Sequence, residues 1–402
     1  MNSSNSTNKD FSDSKQSASN FQNKQLSNGC VLSVLIDSHA QAGITYFVGT
    51  DGDGVNWGTS DSRASFPEQW EIVDTSDTPA MQSDHVRFME LKNYDKEDAM
   101  LYVATYGGVS YARYNRNEPG FGPWKTATRL EFLHDNLNSL KDHIRSIHIA
   151  RTQSHSLNKA KMYIATDQGL WVSTLNRKGQ PSEWTNLGLG IVSISSVYAT
   201  GNQDKDIILV GTTDHGLVIG LIEKNQIHWQ NYDVSKGLAS DHIWDVFITK
   251  KTVGGSIIIG TNGGGISWAQ IEAIDDDQIQ LSKWTTVNSE TEGFPNNCNA
   301  QLFASGNKAG DTLWVGTRAG LAWAHFDADY NLSHWQTALI ADTTNDIGSV
   351  LVQDGWITLG IYRTGLAVSQ LDKQGNPTTW KVAQAKSNTD TDIDTDTNIH
   401  TE

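Results

Sequence analysis

Residues 312–326 read TLWVGTRAGLAWAHF. An apolar run ends in Gly316-Thr317, a short turn follows, and a second apolar run opens at Gly320-Leu321. Two strand-like runs joined by a tight turn that closes on glycine make a β-hairpin in sequence form. The same unit begins at Thr45 (TYFVGTDGDGVNWG), Leu101 (LYVATYGGVSYARY), Met162 (MYIATDQGLWVSTL), Ile207 (IILVGTTDHGLVIG), Ser256 (SIIIGTNGGGISWA) and Trp356 (WITLGIYRTGLAVS). Seven copies at a spacing of about fifty residues form an array, and the period governs how every other motif is read.

Working outward from the hairpin, each repeat extends to four strands, A to D. The fifth reads DHIWDVFI, SIIIGT, GISWAQI, SKWTTVN, and the sixth NAQLFA, TLWVGT, GLAWAHF, SHWQTAL. Strand B is apolar almost throughout, as expected of a strand buried on both faces between stacked sheets. A small residue precedes the Thr in the first six repeats (Gly49, Ala104, Ala165, Gly211, Gly260, Gly316), which leaves room for a neighbouring backbone or aromatic ring. Strand D carries a Trp in every repeat (Trp70, Trp124, Trp184, Trp229, Trp284, Trp335, Trp380), read as packing between adjacent sheets. Seven four-stranded antiparallel sheets arranged radially give an all-β fold, a seven-bladed β-propeller over residues 29–385, with 28 strands expected. The chain enters on a strand A and leaves on a strand D, so closure is expected to rest on packing of blade 7 against blade 1. The Ser/Asn-rich segment 1–28 and the acidic Thr/Asp tail 386–402 lack the aliphatics needed to bury a core and are expected to be disordered. The tail's alternating Asp390, Asp392, Asp394 and Asp396 lack the Gly and Glu of a calcium loop.

Of the 402 residues, 37% are hydrophobic, but 14 Trp, 11 Tyr and 11 Phe concentrate that fraction in large side chains. The 35 Gly against 7 Pro suit a protein of many tight turns. With 30 Lys+Arg and 46 Asp+Glu the net charge is −16, which repels phosphate backbones and anionic bilayers and argues against nucleic acid or a membrane surface as partner. No run of eighteen apolar residues exists to span a bilayer, and the first residues lack the apolar core of a secretory leader. As written the chain reads as cytoplasmic, or as periplasmic or secreted if a leader has been removed. Cys30 and Cys298 belong to blades 1 and 6, which are not neighbours in a ring of seven, and are expected not to pair with each other.

Aligning the repeats brings out one constellation. The residue just before strand A is Cys30, His85, His143, Ser193, His242, Cys298 and Asp346 in turn, three of them inside a DH(V/I) motif. Strand A is innermost in a propeller, so these positions ring one mouth of the central channel. Imidazole, thiol and carboxyl groups there suit a borderline metal or a small polar ligand, with His85 and His143 the pair nearest one another. Ordinary strand-end polarity facing channel water explains the same residues, and no metal or cofactor is expected. The turns between strands B and C share that face. They offer Asp51, Asp53, Asp167, Asp214 and His215 on one side and Arg318 and Arg363 on the other, with Tyr106 and Tyr362 near the arginines. An acidic and a guanidinium side around one concavity can orient a polar ligand. No G-x-S-x-G, HExxH or P-loop motif occurs.

The string LWVGTRAGL, with KGLASDHIWDVF and EGFPNNCNAQLF ahead of the fifth and sixth repeats, resembles the two-component regulator propeller repeat across about residues 29–385. Repeats 5 and 6 match best, and Ile361 replaces the Thr in repeat 7. The resemblance implies a ligand-sensing propeller, here with no kinase or membrane segment beside it. The expected function is therefore non-catalytic: ligand sensing or protein interaction by a monomeric propeller whose partner is a small polar ligand or a protein. The alternative is a propeller hydrolase or lyase with a glycosidase-like site on the loop face, favoured by a carboxylate or His pair converging there.

Overall fold

The computed structural model describes residues 26–27, 29–38, 43–94, 97–129, 143–150, 157, 159–189, 193–200, 205–223, 226–250, 252–295, 301–304, 310–329, 331–340 and 345–385. Seven antiparallel sheets, each built from strands consecutive in sequence, surround a central axis as a seven-bladed β-propeller. The innermost strands A are Val31–Asp37, Val86–Asn93, Ile144–Ala150, Ile194–Ala199, Ile243–Ile248, Gln301–Ala304 and Ile347–Gln353. Strand B follows antiparallel in each blade and C pairs with B. The described strands number 30 rather than 28. Blades 2 and 5 each gain a short extra strand, Gly120–Phe121 and Ile279–Leu281, where a longer strand C continues past the main strand D and the chain pairs with it twice. A single 3-10 turn, Val234–Lys236, is the described helical element.

The GT-x-x-G motif has two separable physical causes. The glycine is a packing requirement between blades: a Cβ on Gly49 would stand 2.5 Å from Val86 Cγ1 of blade 2, and one on Gly316 would stand 2.8 Å from Ile347 Cγ2 of blade 7. The space is therefore filled by the first aliphatic residue of the next inner strand, with its backbone carbonyl also at 3.0 Å for Gly316, and not by an aromatic ring. The threonine is a turn requirement. Its hydroxyl donates to the carbonyl of the glycine that opens strand C, at Thr50–Gly54 (2.9 Å), Thr105–Gly108 (3.0 Å), Thr166–Gly169 (2.9 Å), Thr212–Gly216, Thr261–Gly265 and Thr317–Gly320 (2.8 Å each). Blade 7 has Ile361 there and lacks this bond.

The core is divided into seven apolar clusters, one at each blade boundary, and each includes one strand-D Trp. The Trp packs from its own blade against the preceding one: Trp284 lies with Leu217 and Ile219 of blade 4, and Trp335 with Ile258 and Ile266 of blade 5. Trp70, Trp284 and Trp335 are buried, while Trp124, Trp184, Trp229 and Trp380 are half-buried. Trp229 covers Gly220, where a Cβ would meet its ring at 2.5 Å.

The ring closes without an exchanged strand, as the phasing predicts. At the seam a Cβ on Gly360 of blade 7 would stand 2.5 Å from Val31 Cγ1 of blade 1, the same close approach as elsewhere. The Val34 N–H donates to Ser349 Oγ (3.0 Å) and Arg63 pairs with Asp354 (3.0 Å). The segment before the propeller contributes more than its composition suggests: Leu26, 2% exposed, joins the seam cluster, and Ser27 bonds Asn56 through N–H and hydroxyl. The expected disorder of residues 1–28 thus fails at Leu26 and Ser27, since one aliphatic side chain suffices to anchor the approach to strand A. Residues 1–25 and the tail 386–402 lie outside the described residues.

Replacing Trp284 by Ala is expected to cost about 3–5 kcal/mol, as for other fully buried aromatic truncations, and replacing the half-buried Trp229 less. Chemical denaturation midpoints check the order; equal shifts would mean that burial at the blade boundary does not set the contribution.

Candidate functional site

Strand A is bulged at its second residue in the six blades where its start is described. Register slips between Val31 and Ser33, Val86 and Phe88, Ile144 and Ser146, Ile194 and Ser196, Ile243 and Asp245, and Ile347 and Ser349. A bulge re-aims the extra side chain. The second residues of these strands, Leu32, Arg87, Arg145, Ser195, Trp244 and Gly348, are all partly exposed, whereas the Val or Ile before each is buried. Sequence reasoning missed this row; its signal is the non-aliphatic residue that interrupts four of these strands after the first Val or Ile.

The residue before strand A and the residue after strand B meet in the same blade through a backbone bond. The N–H groups of Asp51, Tyr106, Thr213, Asn262 and Tyr362 donate to the carbonyls of Cys30, His85, Ser193, His242 and Asp346 at 2.8–3.3 Å. The mouth thus carries paired rows, and side chains link several of these pairs to the next blade. His85 Nδ1 bonds Asp51 Oδ1 at 2.7 Å. Tyr106 stacks on His85 at 4.8 Å and lies against His143 at 3.9 Å, with the Arg87 guanidinium 5.8 Å from its ring centre. Asp167 accepts from the His143 backbone N–H (2.8 Å), Arg145 Nε (2.7 Å) and Ser193 Oγ (2.7 Å). Cys30 and Tyr362 hydrogen-bond across the seam.

Two sequence expectations are corrected here. Tyr106 is interposed between His85 and His143, so that pair does not close on one ion, and each imidazole already faces a carboxylate. Among the described residues no group of three or more His, Cys, Asp and Glu gathers in a metal-holding arrangement. Tyr106 also belongs with the histidines, not with the arginines; Tyr362 is the aromatic beside Arg363, 5.5 Å from its guanidinium. Asp214 and His215 pair with each other at 2.5 Å and are exposed, and His242 lies near Trp244 at 6.0 Å. Arg318 and Arg363 both act on Asp346. Cys298 lies outside the described residues.

Burial dominates the titration of the mouth. It pushes the Cys30 thiol up, against a hydrogen bond with Tyr362, and raises the Tyr362 hydroxyl to about 12. Burial also raises the Asp346 carboxyl against the pull of Arg318 and Arg363, and lowers His242, with Arg145 adding to the effect. Asp167 is the exception. Burial pushes its carboxyl up, but the hydrogen bond from His143, the Arg145 charge and the Ser193 hydroxyl outweigh that and hold it well below the usual carboxylate range. Deeper in the channel Asp245 accepts from the Leu302 N–H of blade 6 (2.9 Å) and its own neighbour Val246 (2.8 Å), and burial lifts it to about 7.

No protein-family model and no curated protein matches this chain. Among solved structures the fold is similar to BBS1N in a crystal with ARL6DN soaked with lead, with a TM-score of 0.51 and 10% identity over 88% of this chain and 91% of that one. A mercury-soaked crystal of the same pair gives 0.50 and 11% over 88% and 92%. At such identity the likeness shows the fold alone. Among the described residues no helix is long and apolar enough to cross a membrane.

Because the Asp167 carboxyl is depressed in the folded protein, its contribution to stability is present above its ordinary titration range and is lost as pH falls below ~4. Asp167→Asn is expected to lower Tm more at neutral pH than at about pH 3, read from thermal melts; the same loss at both would show that the charge on Asp167 does not stabilise the mouth.

Proposed function

We propose that this chain is a non-catalytic interaction propeller that receives a protein partner on the mouth face. The observation that carries this reading is the division of labour around the mouth. On blades 1 to 4 turn carboxylates are already engaged: Asp51 with His85 of the next blade, and Asp167 with Arg145 of its own blade and Ser193 of the next. That network ties neighbouring blades together at the rim. Outward from it stand Arg318, Arg363 and two of the large apolar side chains most exposed to water, Val234 (53%) and Leu339 (72%). Exposed apolar groups rimmed by charge are the composition of a docking surface. The fold neighbour BBS1N is itself held in a complex with ARL6DN, which supports a protein as partner class. A ligand-sensing role rests on the repeat strings alone.

A photo-cross-linking residue at Asp214 or Glu290 on the mouth face is expected to give a discrete protein adduct, competed by excess unlabelled propeller. The same residue at Asp276 or Lys373, on the opposite face, is expected to give none. Equal labelling from the two faces would overturn the assignment.

A specific observation favours a second reading. The His85–Asp51 pair, at 2.7 Å with His85 46% exposed, has the geometry of an imidazole oriented by a carboxylate, as a hydrolytic general base requires. A hydrolase would turn over nitrophenyl esters or glycosides in a manner lost in His85→Ala; rates equal in the two proteins remove this reading.

A further inference from the structure

We infer that Asp245 and Ser196 compete for one backbone N–H, that of Val246, and that proton uptake by the Asp245 carboxyl hands this N–H to Ser196. The inner edge of the boundary between blades 4 and 5 is then a pH-sensitive joint. This goes beyond the reading of the mouth as an interaction face and does not depend on it.

The inner edge of each strand A has no strand beyond it, so its N–H groups need other partners. At three boundaries the preceding blade supplies one in the same way. Ser349, Gln301 and Asp245 are equivalent, each paired with the strand-B glycine of its blade, Gly360, Gly316 and Gly260. Ser349 Oγ accepts from the Val34 N–H of the next blade (3.0 Å), Gln301 Oε1 from Val350 (3.1 Å) and Asp245 Oδ2 from Leu302 (2.9 Å). Val34, Val350, Leu302 and Val246 are equivalent in turn, each paired with the residue before that glycine in its own blade.

Ser196 holds the same place in blade 4, opposite Gly211, so the pattern assigns it to Val246. It makes no bond there. Asp245 Oδ1 takes the N–H of its own neighbour at 2.8 Å, and Ser196 Oγ, in a residue 5% exposed, is left without a hydrogen-bond partner. A buried hydroxyl without a partner needs a cause, and the carboxylate that occupies its N–H is that cause. The two blades are tied one residue earlier, where the Ser195 hydroxyl donates to the Ile243 carbonyl.

Asp245 is the ionisable member of a row otherwise filled by Ser33, Phe88, Ser146, Ser196, Gln301 and Ser349. The elements packed against it bring no cation. Strand B of its own blade, Ser256–Thr261, and strand A of blade 6, Gln301–Ala304, hold no titratable residue. Strand A of blade 4, Ile194–Ala199, holds Tyr198, which meets Phe247 edge-on at 5.9 Å. Strand B of blade 4, Lys205–Thr212, has Lys205 and Asp206 at the end remote from Gly211. Burial accordingly lifts the Asp245 carboxyl to about 7 against its two N–H bonds. The carboxylate accepts at both oxygens, whereas the acid turns one of them into a hydroxyl, a poorer acceptor. Protonation at Oδ1 strands the fewer groups, because Val246 has Ser196 as a second acceptor. A carboxyl raised above its ordinary value near 4 destabilises the fold increasingly as pH rises from there to its folded value, so the joint is most stable protonated.

The test is NMR of the full chain, labelled with 15N-valine and with aspartate 13C at the carboxyl, between about pH 5.5 and 8.5. One carboxyl signal, missing in Asp245→Asn, and the Val246 amide are expected to shift with a shared midpoint near 7. Ser196→Ala removes the second acceptor and disfavours the acid form, so it is expected to lower that midpoint by about half a pH unit or more. Ser146→Ala, in the same row of blade 3, is expected to leave it in place. Asp245→Ser restores the residue of the row, and its Tm relative to the unsubstituted protein is expected to be more favourable at the upper end of this pH range than at the lower. Absence of a titrating carboxyl, a midpoint unmoved by Ser196→Ala or moved as far by Ser146→Ala, or the same Tm difference at both ends would each overturn the inference.

Discussion

The close approach between neighbouring blades is the constraint on which the rest of the structure depends. The first Val or Ile of the inner strands of blades 1, 2, 5 and 7 fits against a glycine of the preceding blade, Gly360, Gly49, Gly211 and Gly316, where a Cβ would stand within 2.5–2.8 Å of it. Every blade uses one face of strand B to accept its neighbour. A sheet that is apolar on both faces cannot be stable alone, so each blade is completed only by the next. Closure then needs no borrowed strand, because blade 7 offers blade 1 the same socket, Gly360 for Val31, that the others offer in turn.

The mouth follows from that packing. The first residue of strand A packs on the preceding blade, and the register slips at the second residue in the six blades where the start is described. A row of Arg87, Arg145, Ser195 and Trp244 thereby joins the residues that precede the strands. Adjacent blades sit close enough for carboxylates on one turn to meet imidazoles and hydroxyls of the next. Buried or half-buried polar groups must find partners, and here several find them across blade boundaries, as Asp51 does with His85 and Asp167 with Ser193.

A propeller supplies no chemistry by virtue of its fold; it supplies a fixed ring on which loop residues are displayed. On blades 1 to 4 the display is largely self-satisfied. On blades 6 and 7 the turn threonine is lost at Ile361, a non-glycine residue occupies a left-handed position, and guanidinium and aliphatic groups face water. The ring is asymmetric within a repeat that is otherwise regular.

The sequence by itself determined the seven-fold repeat, the four strands of each blade, the inter-blade role of the strand-D Trp and the mode of closure. Each of these is written in local periodicity or in a residue type that recurs at one position. It also placed the mouth residues on one face, since that needs only the order of strands. What the tertiary structure alone decided is which of them meet. Tyr106 lies between His85 and His143 instead of beside the arginines, because ring-on-ring contact is set by the rotation between blades and not by spacing along the chain. Arg145 sits at the bulge of strand A and reaches Asp167, a pairing that repeat spacing does not reveal. Leu26 enters the core although its segment reads as disordered, since the cleft it fills exists only once blade 7 has closed on blade 1.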